Sequence, residues 1–148
     1  MQRLRAHLVV VVAGVALIAT SFVPLWATYR VPGLGLVAPE TSHQNAWTAY
    51  GLTMQLALAL AAAATLLAAA GAATRAPQRT PVLLALCAAS LLLLVWQVVR
   101  GPQGSSSPNG YGIERGLLLF TGAGLAAAMT YGSYLAWKET APAPVVRG

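Results

Sequence analysis

Four long apolar runs fill most of this 148-residue chain, at about 7–26, 47–71, 81–99 and 116–137. Each has one tryptophan at an end: Trp26, Trp47, Trp96 and Trp137. A helix needs about 20 apolar residues to cross the hydrocarbon core of a bilayer, so each run is long enough for one span. Tryptophan favours the membrane–water boundary, where its apolar body and its N–H are both satisfied. The four tryptophans are therefore read as membrane-interface anchors. The expected fold class is all-α: one membrane domain over 1–148, a transmembrane four-helix bundle with antiparallel neighbours.

Composition supports this. Of the chain, 57% is hydrophobic and 8% is charged, against about 25% charged in an ordinary soluble domain. A soluble fold would lack the charge to cover its surface. The net charge of +6 comes from basic residues spread between the runs rather than gathered in a patch, so nucleic acid is not an expected partner. The lipid bilayer is, together with other membrane proteins or a second copy of the chain.

The first run follows the basic leader Met1-Gln-Arg-Leu-Arg5. It is long for a signal peptide and ends in Phe22-Val-Pro-Leu-Trp26, not in a small-x-small cleavage site, so it reads as an uncleaved span. Pro24 lacks an N–H and frees the carbonyl of Thr20, which the hydroxyls of Thr20 and Ser21 could help satisfy. The stretch Ala27 to Ala46 holds Pro32, Gly33, Gly35 and Pro39, and reads as irregular. The short link Ala72 to Thr80 makes the second and third spans antiparallel neighbours. Gly101 to Gly110 is turn-rich, and the tail Lys138 to Gly148, with Pro142 and Pro144, is expected to be disordered.

Orientation follows from Lys and Arg. With the N-terminus in the cytoplasm, that side holds Arg3, Arg5, Arg75, Arg79, Lys138 and Arg147; the other holds Arg30, Arg100 and Arg115. Six against three puts both termini of a cell-membrane protein inside. Trp26, Trp47 and Trp96 then mark the outer boundary with Tyr29, Tyr50 and Tyr111. Trp137 marks the inner boundary with Tyr134.

Helices in lipid associate through close contact of small residues. Gly124, Ala128 and Gly132 recur at four-residue spacing and form the expected packing face of the last span. Ala57, Ala61, Thr65, Ala69 and Ala73 do the same on the second span, where Leu52, Leu56 and Leu60 are read as facing lipid. Gln55 and Gln97 are the candidates for an intramembrane polar contact, with each other or with backbone.

No Asp, Glu, Lys or Arg lies well inside any run. Proton relays and ion paths normally need such residues, so a proton-coupled pump is not expected. The lone Cys87 excludes an internal disulfide and a cysteine zinc site, and reads as a packing residue. Glu40 and His43, three apart, could share a metal on a helix but offer only two ligands after a proline. Glu114 and Arg115 read as the start of the fourth helix, the acid favouring its N-terminus. There is no Walker loop, dinucleotide fingerprint or nucleophile–base motif, so no catalytic, metal or cofactor residue is assigned.

Phe22-Val-Pro-Leu-Trp26, the glycine-containing loop after it, and Asn45-Ala-Trp-Thr-Ala-Tyr50 opening the second span carry a resemblance. The chain resembles small four-span integral membrane proteins of GC-rich Gram-positive bacteria. Those commonly end span one in a proline–tryptophan pair and open span two with tryptophan-x-alanine-aromatic. Here Leu25 stands between Pro24 and Trp26. The resemblance implies a membrane fold and no particular activity. The leading expectation is a non-enzymatic accessory or scaffolding subunit of the cell envelope. The alternatives are a transporter or channel for a neutral or weakly polar solute, and an enzyme acting through Glu40 and His43.

Overall fold

A computed structural model describes residues 2–31, 40–74, 80–102 and 112–140. The elements are α1 (Gln2–Ser21), β1 (Ala27–Val31), β2 (Glu40–Gln44), α2 (Ala46–Ala49), α3 (Gly51–Thr74), α4 (Thr80–Arg100), β3 (Gly112–Arg115) and α5 (Leu117–Lys138). The protein is mostly helical. Among the described residues, three helices contain stretches long and apolar enough to cross a membrane: Leu4–Ser21, Gly51–Ala72 and Thr80–Arg100, with mean hydropathy 1.9, 1.9 and 2.6. At 22 residues α5 matches them in length. Its glycines, threonines, serine and tyrosines leave it less apolar, and it is not among the three.

The long helices form a ring. α1 packs on α3 and α5, and α4 packs on the same two. Consecutive long helices run antiparallel, so α1 starts and α5 finishes at one end, called here the terminal end. There the hydroxyls of Thr80 and Thr140 lie 3.0 Å apart, joining the start of α4 to the turn after α5. The strands gather at the opposite, sheet end.

Small residues set the helix separations. Gly14 of α1 backs directly onto the Thr65 side chain of α3, leaving no room for a methyl group. A Cβ on Gly132 of α5 would stand 3.1 Å from the Ala6 carbonyl of α1. Ser90 of α4 donates to the Ala57 carbonyl of α3 at 2.8 Å. Between these contacts the interior is filled by fully buried Leu17, Met54, Leu58, Leu83, Leu94, Leu119 and Met129. Leu52 and Leu56 lie on the outside of the bundle, as does Leu66.

Three boundaries differ from the sequence reading. The first helix stops at Ser21, short of Trp26. Pro24 disfavours helical backbone at Val23 and contributes no N–H, so the chain leaves the helix in a turn, with the Val23 N–H on the Thr20 carbonyl at 3.0 Å. The second run is divided. Asn45 caps α2 by accepting from the Thr48 N–H at 3.1 Å. Gly51, at φ 65°, then turns the chain into α3. Third, Glu114 and Arg115 are strand residues rather than a helix start, and Gly116 precedes α5 without a side-chain cap. Pairing with β1 holds both residues extended.

The stretch read as irregular contains two strands. β1 is the centre of a three-stranded antiparallel sheet, order β2-β1-β3. Ala27 opposes both Gln44 and Arg115, and Thr28 opposes both His43 and Glu114. A small sheet therefore tops a helical protein that the sequence reads as all-α. Residues 32–39 and 75–79, most of the turn-rich stretch 101–110 and the tail beyond Thr140 lie outside the described residues.

Candidate interaction platform at the sheet end

Trp26 organises this end. Its side chain is fully buried, so it is a core residue and not an exposed interface anchor. The indole N–H donates to the Thr20 carbonyl at 2.7 Å. That is the carbonyl freed by Pro24, and the indole accepts the task that the sequence assigns to nearby hydroxyls. Thr20 and Ser21 instead donate to Leu17 and Ile18 carbonyls, at 3.0 and 2.6 Å. The Trp26 ring presses on α5: a Cβ at Gly122 would lie 2.5 Å from the ring atom Cη2.

The Trp26 backbone completes the junction. Its N–H donates to the Gln44 carbonyl at 3.1 Å, and its carbonyl accepts from the Gly116 N–H at 2.8 Å. The same carbonyl accepts from the Tyr50 hydroxyl, also at 2.8 Å. One residue thus touches the end of α1, the end of β2, the entry to α3 and the start of α5. Gly116 crosses so close to the Leu25 and Trp26 carbonyls that any side chain there would collide with them. Burial pushes the Tyr50 phenol well above its usual range, helped by nearby Tyr29 and opposed by Arg115. Burial also raises Tyr29. Tyr50 stays a neutral donor throughout the ordinary pH range.

The sheet has two unlike faces. Strand residues alternate sides, so Ala27 and Tyr29 share one face and Thr28 and Arg30 the other. Ala27 is fully buried in the core and Tyr29 packs against it, which turns that face towards the bundle. The register then places His43, Thr41 and Glu114 beside Thr28 and Arg30 on the outward face. His43 Nδ1 lies 3.3 Å from the Thr28 hydroxyl. Arg30 and Glu114 pair at 3.4 Å, with side chains 62% and 57% exposed. Such a solvated pair contributes at most about 1 kcal/mol. Arg115 reaches instead to the Val99 carbonyl at 3.0 Å, a cation at the C-terminus of α4.

Glu40 and His43 do not come together. Their spacing suits one face of a helix, but on a strand residues three apart point to opposite sides. Among the described residues no group of three His, Cys, Asp or Glu side chains converges on a point. A groove of about 380 Å³ along α1 and α5 is lined by Leu8, Val9, Val12, Ala13, Ala16 and Leu125. With no polar side chain in it, it offers contact to hydrocarbon and no site for chemistry.

The remaining singled-out residues divide. Trp47 is half-buried, donating to the Ser21 hydroxyl at 3.0 Å with its ring 5.7 Å from Phe22. Trp96 and Trp137 are 55% and 40% exposed, the latter with its ring tilted 39° to Tyr134 at 6.0 Å. Gln97 is buried, Gln55 lies on the exposed side of α3, and no hydrogen bond joins them. On α5 the four-residue stripe splits: Gly132 packs on α1, Ala128 is part-buried, and Gly124 faces outward with nothing within 4 Å of a Cβ. Steps of four residues turn about 400°, so such a stripe drifts off any one face. The buried face of α5 instead follows Leu119, Gly122, Ala126, Met129, Ser133 and Ala136. Residue spacing alone gives no sign of Gly122 or Gly116. The one clue is Pro24, which announces a free carbonyl needing a donor.

No protein-family model matches the chain, and no curated protein matches it either.

Proposed function

We propose that this chain is a small four-pass membrane protein of the cell envelope, non-enzymatic, acting as an accessory or scaffolding subunit. In this reading α5 is the fourth span, the kinship is with the small four-span proteins that Phe22–Trp26 and Asn45–Tyr50 resemble, and both termini lie in the cytoplasm. The sheet end is then extracytoplasmic and presents Thr28, Arg30, Thr41, His43 and Glu114 to a partner membrane protein. The partner surface that fits carries hydrogen-bonding groups of both charge signs.

One observation carries the reading. The outward sheet face exposes Arg30, Thr41, His43 and Glu114 together, while neighbouring polar groups at the same end are tied into the fold. Trp26, Tyr50, Ser21 and Arg115 each bond within the chain. A solute path through the ring would have to displace fully buried Leu17, Met54, Met129 and Trp26. Gln55, the residue that motivates a transporter, lies on the outside of the ring.

Mild-detergent purification from native membrane, after cross-linking through a photoreactive residue at Thr41, tests this. The expected result is one discrete cross-linked species with a membrane protein, lost when Arg30 and His43 are both changed to Ala. A monodisperse, uncross-linked chain with no partner and no self-association contradicts it.

A further inference from the structure

We propose that Trp26 is a latch that fastens the polar platform to the membrane bundle, so that the platform's rigidity is controlled from Gly122, inside the helix packing. The inference rests on the platform reading for its purpose, but its geometry stands by itself. The three strands are only four and five residues long, and their inner face leans on the bundle through Ala27 and Tyr29. The central strand begins at Ala27, the residue directly after Trp26.

Three ties at the sheet's inner corner meet at the Trp26 backbone. Its N–H holds the end of β2 at Gln44, and its carbonyl holds Gly116, the link between β3 and α5. Tyr50 reaches the same carbonyl from the entry to α3. These three bonds keep their positions only while the indole stays seated between α1 and α5, its N–H on Thr20 and its ring against Gly122 and Leu17. Withdrawing the ring moves the backbone atoms that the other bonds depend on. A partner pulling or tilting the sheet therefore acts on the α1–α5 seam, and a change at that seam acts on the sheet. Gly122 is the point where the ring itself is seated on α5, because a methyl group there would meet Trp26 Cη2 at 2.5 Å.

Hydrogen exchange of the purified full-length chain in nanodiscs, with no partner present, tests the latch apart from the docking reading. Gly122→Ala is expected to speed exchange of the Thr28–Val31 and Gly116 amides at least about tenfold while amides midway along α3 stay protected. Trp26→Phe keeps a ring in place but removes the indole donor, and is expected to give the same pattern more weakly. It carries the test should Gly122→Ala not fold. Unchanged β1 exchange in the variant that folds overturns the latch. So does equal acceleration in β1 and mid-α3, which means general loosening. Absence of any co-purifying partner for the unaltered chain, alongside the expected exchange pattern in the variants, would refute the docking reading and leave the latch intact.

Discussion

At the residue scale, glycine shows how position decides meaning. Gly14 and Gly124 both lie in long helices, yet one is pressed on Thr65 and the other has open space around it. Gly14→Ala is expected to cost about 1–3 kcal/mol by overpacking. Gly124→Ala is expected to stabilise by about 0.5–1 kcal/mol through helix propensity. Unfolding in mixed detergent micelles checks both, and equal effects would contradict the packing described. Tyr50 supplies a pH test. Its raised phenol makes its contribution to stability complete below pH 10, the usual tyrosine value, and lost as pH climbs through the higher folded value. Tyrosinate absorbance of the folded chain and of Tyr50→Phe should coincide up to about pH 11. An earlier divergence would mean that Tyr50 is exposed. Trp26 shows the limit of reading residues singly. An indole suits a membrane boundary and a buried bonded position equally well. What distinguishes them is the Thr20 carbonyl, which Pro24 leaves without its helical donor and which the indole N–H satisfies together with the Val23 N–H.

At the element scale, helices were legible and strands were not. Runs of about 20 apolar residues announce spans whatever their partners. Their ends were less legible: Pro24 and Gly51 shorten two runs through local backbone rules, by cutting off Trp26 and setting Asn45–Tyr50 apart. β1 alternates Ala27, Thr28, Tyr29 and Arg30, but five residues are too few to stand out among prolines and glycines. β3 pairs with β1 from the far side of two long helices, and no local pattern in Gly112–Arg115 points to that partner. Glu114 and Arg115 fit a helix start equally well until the pairing is known. The outward face that results is held loosely by the exposed Arg30–Glu114 pair. Arg30→Ala is therefore expected to change unfolding stability by less than about 1 kcal/mol. On the platform reading it should still weaken partner recovery. A large stability loss with unaltered recovery would move Arg30 from display to structure.

At the scale of the whole molecule, the ring of α1, α3, α4 and α5 joins three strongly apolar helices to a more polar fourth. The fourth belongs with them because Gly132, Gly122 and Met129 seat it on α1 and on Trp26. The start of α1 and the end of α5 fall at one end of that ring and the sheet at the other. The claim that most depends on this is topological: four spans, sheet outside, termini inside. Single cysteines placed at Thr41, Thr74 and Glu139, in a Cys87→Ser background, measure it with a membrane-impermeant maleimide on intact cells. The account predicts labelling at position 41 before permeabilisation, and at 74 and 139 only after it. Labelling at 139 together with 41 would show that α5 does not cross, and labelling at 74 without 41 would invert the protein.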